Sequence, residues 1–177
     1  MRSYAVTHPP NLVLPERSYG DWDQFVYAIR GVVAVDTPGG VFVVPTHRAL
    51  WVPAGTPHRV RTPGTVVLRT LFFRPHLGAR RLPRTCTALD VTPLVRELVV
   101  HAALRNTLRR DVPADRRLAQ VIVDQLTTLR QQPLQLPLPQ DERARHAAEL
   151  LVARRGAATL AQVAAQVGAS VRTLERA

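Results

Sequence analysis

The residues with the most chemistry to offer stand near the C-terminus. In LAQVAAQVGASVRTLERA, residues 160–177, Ser170 is followed by Arg172, Thr173, Glu175 and Arg176. A planar guanidinium donates two hydrogen bonds to one guanine edge, the commonest specific contact between a side chain and a base. Elsewhere reactive spacings are sparse. The single cysteine, Cys86, has no histidine within a few residues, so no nucleophile–base pair forms in sequence. ThrProGlyGly at 37–40 reads as a hairpin turn, and the helix and lysine of a phosphate-binding loop are absent. Nothing here marks an enzyme, and no cofactor is expected.

Helices must position the C-terminal arginines. Thr159 can cap a helix LAQVAAQV, Gly168 can supply a left-handed turn, and Ser170 can cap a second helix VRTLERA. Leu160, Val163, Ala164, Val167, Val171 and Leu174 then fall on inner faces, and small Ala164 and Ala165 let the two helices cross closely. Arg172, Thr173, Glu175 and Arg176 point outward. Helix, short glycine turn, helix is the arrangement whose second helix enters the major groove. The alternative is a small amphipathic hairpin with solvated arginines. A preceding helix is expected over DERARHAAELLVARRG, with Asp141 and Glu142 in its first turn, Arg154 and Arg155 in its last, and Gly156 as its stop.

The rest of the chain changes period twice. From about Gln24 to Phe73, short runs rich in Val, Phe, Tyr, Thr and Leu are separated by Gly and Pro turns, which reads as a sandwich or barrel. From about Pro93 the apolar spacing becomes helical. A second helix is expected to begin near Asp115, with a stripe Leu118, Val121, Ile122, Leu126 and Leu129. That stripe either packs on the barrel or forms the seam of a homodimer. QQPLQLPLPQ, residues 131–140, carries Pro133, Pro137 and Pro139 and is expected to be an extended linker.

Composition sets outer bounds. The chain has 177 residues, 46% of them hydrophobic, enough for a packed core. No 18-residue apolar run lacks charge, so no membrane partner is expected. No signal-peptide pattern opens the chain, and a lone cysteine forms no internal disulfide, so the cytoplasm is the expected location. The formal net charge is +11, and all 24 basic residues are arginine. The charge does not single out the C-terminal segment. Residues 1–140 carry 18 Arg against 9 acids (+9), and residues 141–177 carry 6 Arg against 4 acids (+2).

TLAQVAAQVGASVRTLER resembles the first helix-turn-helix of AraC/XylS-family transcriptional regulators, with Ala164, Gly168, Ser170, Arg172, Leu174 and Arg176 matching the signature. HRALWVPAGTPHRV, TVVLRTLFF, TPLVRELV and LPLPQD resemble the effector domain and connector of one AraC subgroup, so the likeness spans nearly the whole chain. The resemblance implies a mixed β and α fold: a cupin-like barrel or sandwich, a helical connector and a small helix-turn-helix. It implies a small organic effector in a sensing domain over residues 1–90, a dimerising connector over 91–132, a linker over 133–140, and a DNA-binding segment over 141–177. Ser170, Arg172, Thr173, Glu175 and Arg176 are then the expected DNA contacts. Tyr27, Trp51, His58 and Arg69 are the expected effector-binding wall, chosen for strand position and polar-aromatic character.

Two departures stand out. Family members carry a second helix-turn-helix, whereas this sequence stops at Ala177, so weak DNA binding by an incomplete reader is expected. WVPAGTPHRV also resembles the second cupin motif, with His58 at a metal-ligand position. The places where the first motif's histidines would stand hold Ser18 and Gly20. Catalytic metal sites usually need three protein ligands, so no metal is expected. The alternatives are a metal-dependent cupin enzyme, and a dimerising module that does not itself bind DNA.

Overall fold

The computed structural model describes residues 1–74, 81–132, 135–136, 141–153 and 159–176. They fall into two compact units, Met1–Gln135 and Leu136–Ala177. In the first, two sheets face each other. One is ordered β1 (Arg2–His8), β8 (Val66–Phe73), β3 (Asp23–Arg30), β6 (Arg48–Val52), β9 (Thr87–Asp90), β10 (Gln131–Gln132). The other runs β5 (Gly40–Val44), β4 (Val33–Thr37), β7 (Arg59–Thr62), β2 (Leu12–Val13), with the two-residue β11 (Gln135–Leu136) at its β5 edge. Gly31 makes the tight passage from β3 to β4. Its φ of +83° suits glycine, and a Cβ there would overlap the Thr65 carbonyl oxygen.

The central strands are buried on both faces. Phe25 pairs with Leu71 and Trp51 in neighbouring strands, and these side chains join Tyr27 and Phe73 on one face. Two helices cover that face, α1 (Pro93–Leu104) and α2 (Pro113–Thr127), through Val95, Val99, Ala102, Ile122, Val123 and Leu126. The opposite face carries Val26, Ala28, Leu50 and Val52, which meet Val33, Val35, Phe42 and Val44 of the second sheet. Thr92 caps α1 by accepting the Val95 N–H at 3.3 Å, and Pro93 sits in the first turn, where no donor is needed. Val112, at the N-cap of α2, makes no side-chain cap. The buried Asp115 carboxylate ties the preceding loop instead, accepting the Arg109 N–H at 2.9 Å and lying 2.9 Å from the Arg105 guanidinium.

This packing gives most of the α2 stripe a partner within the chain. Ile122, Leu126 and Leu129 are core residues of the same chain, and Leu118 is half-buried against them. Burying an Ile or Leu side chain is worth about 1.5–3 kcal/mol, and here that surface is used on the sandwich. Of the stripe, only Val121, 45% exposed, faces away. Three of the five residues expected at a dimer seam, Ile122, Leu126 and Leu129, are thus buried in a helix–sheet contact within the chain.

The second unit contains α3 (Glu142–Ala153), α4 (Leu160–Gln166) and α5 (Val171–Arg176). Asp141 acts as a cap, accepting the Ala144 N–H at 2.9 Å. Ala147 and Val163 form a small core, with Leu150, Val167 and Leu174 against it. Arg154, Arg155 and Gly156, and the linker apart from 135–136, lie outside the described residues.

Candidate functional site

A cavity of about 360 Å³ lies in the sandwich. Alternate residues on three adjacent strands line it: Tyr4, Val6 and His8 of β1, Gln24 and Val26 of β3, and Leu68, Thr70 and Phe72 of β8. Val60 of β7 and His58 just before it contribute from the other sheet, and the 14–19 segment adds Leu14, Pro15, Arg17 and Tyr19. The size is at the small end of the roughly 300–1,000 Å³ common for ligand pockets.

Strand pairing in this region fixes His58. Its backbone bonds both ways with Arg17, each at 2.9 Å, and its Nδ1 lies 2.9 Å from the Thr56 carbonyl oxygen. A carbonyl only accepts, so Nδ1 holds the proton and Nε2 is left as the acceptor. Burial pushes the imidazole pKa below its ordinary value, against the opposing pull of the Thr56 bond and of Glu16, and favours the neutral ring. Tyr19 stacks near it, with ring centroids 5.9 Å apart, and meets Phe72 edge-on at 5.1 Å. Gln24 is 6% exposed, and its Oε1 has no hydrogen-bond partner. Gln24 Oε1 therefore keeps its accepting capacity for a group in the cavity.

Of the four expected wall residues, only His58 lines this cavity. Tyr27 and Trp51 are on the helix-covered face, where the Tyr27 hydroxyl donates to the Thr46 carbonyl at 2.9 Å and Trp51 Nε1 to the Pro83 carbonyl at 3.0 Å. Arg69 is the register partner of Tyr27, so it shares that face. The choice by strand position and polar-aromatic character took residues from both faces of the strands. It passed over Gln24, Thr70, Tyr19 and the whole of β1. The β1 text RSYAVTH did carry a signal, since Tyr4, Val6 and His8 alternate with smaller or polar residues.

The cupin metal positions find no replacement here. Backbone pairing brings the 16–20 segment beside His58, but Ser18 and Gly20 are exposed, and Tyr19 and Arg17 are its cavity residues. Among the described residues, no three His, Cys, Asp or Glu side chains converge as a metal site would require. Cys86 is half-buried, and burial pushes its thiol up to about 11, which disfavours the thiolate.

In the second unit, Thr159 and Gln162 form a reciprocal capping box on α4. Gly168 adopts φ +65°, and the Ala169 N–H returns to the Ala164 carbonyl at 3.0 Å, closing the turn. Ser170 caps α5 by accepting the Thr173 N–H at 3.0 Å, and its hydroxyl lies 2.7 Å from the Thr173 hydroxyl. Ser170, Arg172 and Thr173 are exposed. Ser170 and Thr173 thus spend part of their hydrogen-bonding capacity on holding the helix start. Arg172 is the first charged group presented by the second helix. Glu175 and Arg176 continue that helix, but their side chains lie outside the described residues.

In chain order, the described residues form a two-sheet sandwich, two covering helices and a helix–turn–helix. No family model matches the chain. Over 128 residues it is 34% identical to the HTH-type transcriptional regulator NimR of Escherichia coli K12, a stretch that covers 72% of this chain and 46% of that one. The chain therefore spans about half the length of the curated relative it matches. The crystal structure of the AraC-like transcriptional activator CuxR superposes with a TM-score of 0.54 at 16% identity, covering 97% of this chain and 68% of that one, a likeness of fold. A cupin domain of Cnp3 from Schizosaccharomyces pombe matches 45% of this chain and 59% of that one at 17% identity, with a TM-score of 0.40. The resemblance to AraC-type regulators read from the motifs is thus found again in a sequence relative and in a shared fold.

Proposed function

We propose that the chain is a DNA-binding transcriptional regulator of AraC type rather than an enzyme. On this reading, α5 is the recognition helix and the sandwich is a sensing domain for a small organic effector. The observation that carries it is the exposed Arg172, held at the start of a Ser170-capped helix by the positive-φ turn at Gly168. That is the presentation a base-reading arginine needs. The similarity to NimR, a transcriptional regulator, supports the same reading. On this reading the protein acts on DNA in the cytoplasm. Homodimerisation, if the connector serves it, falls to the outer side of α2 around Val121 and not to its buried stripe.

The test is retention of random duplex DNA by the 177-residue chain across a salt series, with Arg172→Ala beside it. Binding should weaken steeply with salt, because phosphate contacts release counterions. Arg172→Ala should flatten base preference by about 1–3 kcal/mol at one position. A chain that retains no DNA at low salt, or an Arg172→Ala variant with unchanged retention and preference, refutes the reading.

A further inference from the structure

We propose that the sandwich cavity selects a neutral, ring-sized ligand that donates hydrogen bonds through O–H or N–H groups to Gln24 and His58. The inference rests on the reading of the sandwich as a sensing domain and adds the chemistry of what it senses. Three observations converge. First, a cavity of about 360 Å³ with Val6, Val26, Leu68 and Phe72 in its walls suits a compact, largely apolar body. Second, two of its polar atoms are acceptors that a donor on a ligand can reach. Gln24 Oε1 is buried without a partner, and His58 Nε2 is the ring's remaining acceptor once Nδ1 donates to Thr56. Third, the charged arginine of the lining, Arg17, is exposed, so no buried cation stands ready for an anion. A carboxylate would bring only lone pairs to Gln24 Oε1 and His58 Nε2 and lose its hydration, whereas a ligand with two donors, such as a diol, would satisfy both.

The experiment uses the full chain and three probes of similar size, each titrated by calorimetry and by ligand-observed NMR: catechol, its dimethyl ether and benzoate. Catechol should bind, and the ether and benzoate should bind at least tenfold more weakly. Gln24→Leu and His58→Phe should each weaken catechol by roughly tenfold, the scale of one lost buried hydrogen bond, and leave the ether unchanged. Gln24→Leu also has a reading independent of any ligand. Because it removes the orphaned acceptor, the free variant should melt no lower than the parent protein. Leu68→Trp, which fills the cavity, should abolish uptake of all probes. If the ether or benzoate matches catechol and Leu68→Trp abolishes both, the cavity is a ligand chamber but the donor class is wrong. If no probe binds, or if Leu68→Trp leaves binding intact, the donor proposal fails together with the sensing-chamber reading.

Discussion

Leu126→Ala separates the two roles available to α2. Leu126 is 1% exposed and sits in the core that joins α2 to Phe25, Trp51 and Leu71 of the sandwich. Truncation removes three buried carbons and leaves a cavity that a helix held by Ile122 and Val123 cannot close. Such changes typically cost 2–5 kcal/mol. For a unit of this size one kcal/mol moves the midpoint by about 3–4 °C, so the melting temperature should fall by roughly 6–20 °C. Because the contact is within one chain, the fall should be the same at low and high protein concentration. Val121→Ser, on the exposed side, should change stability by no more than about 0.5 kcal/mol. Thermal melts by circular dichroism over a hundredfold concentration range, with light scattering for mass, make the measurement. A Leu126→Ala melt within 2 °C of the parent, or a loss that disappears at high concentration, would show the stripe to be an intermolecular seam and refute this packing argument.

Gly31→Ala should destabilise by well over 1 kcal/mol in a urea titration, since the new Cβ meets the Thr65 backbone oxygen and φ +83° disfavours any side chain. Stability should also depend on pH through His58. Its folded pKa is below the ordinary 6.5, so the unfolded chain takes up the proton first as pH falls. Its contribution is therefore complete above about 6.5 and declines below, and urea unfolding at pH 7.5 and 5.5 should show a smaller difference for His58→Gln than for the parent. Thr159→Ala removes half of the capping box on α4 and should lower the stability of the second unit by about 0.5–2 kcal/mol, seen as faster amide exchange at Val163 and Ala164.

The helix–turn–helix was legible from sequence because its determinants are local. Thr159, Gly168 and Ser170 act on backbone within three or four residues of themselves, and the structure uses each of them as their chemistry dictates. The runs from Gln24 to Phe73 were legible as strands for the same reason. Their side-chain parity was not. Period-two alternation betrays the inner face only when the outer face is wet, and β3 is buried on both sides, by the second sheet and by α1 and α2. Tyr27, Trp51 and Arg69 thus read as cavity walls although they face the helices, while Gln24 and Thr70, one residue out of phase, line the cavity. The α2 stripe was equally undecidable, because an apolar stripe specifies burial and not the identity of the surface that buries it. Only the tertiary structure supplied that surface. The amino-acid sequence by itself determined the elements, their caps and their turns. Which face each element turns toward which neighbour, and hence which side chains meet in the cavity, was settled by packing between residues far apart in the chain.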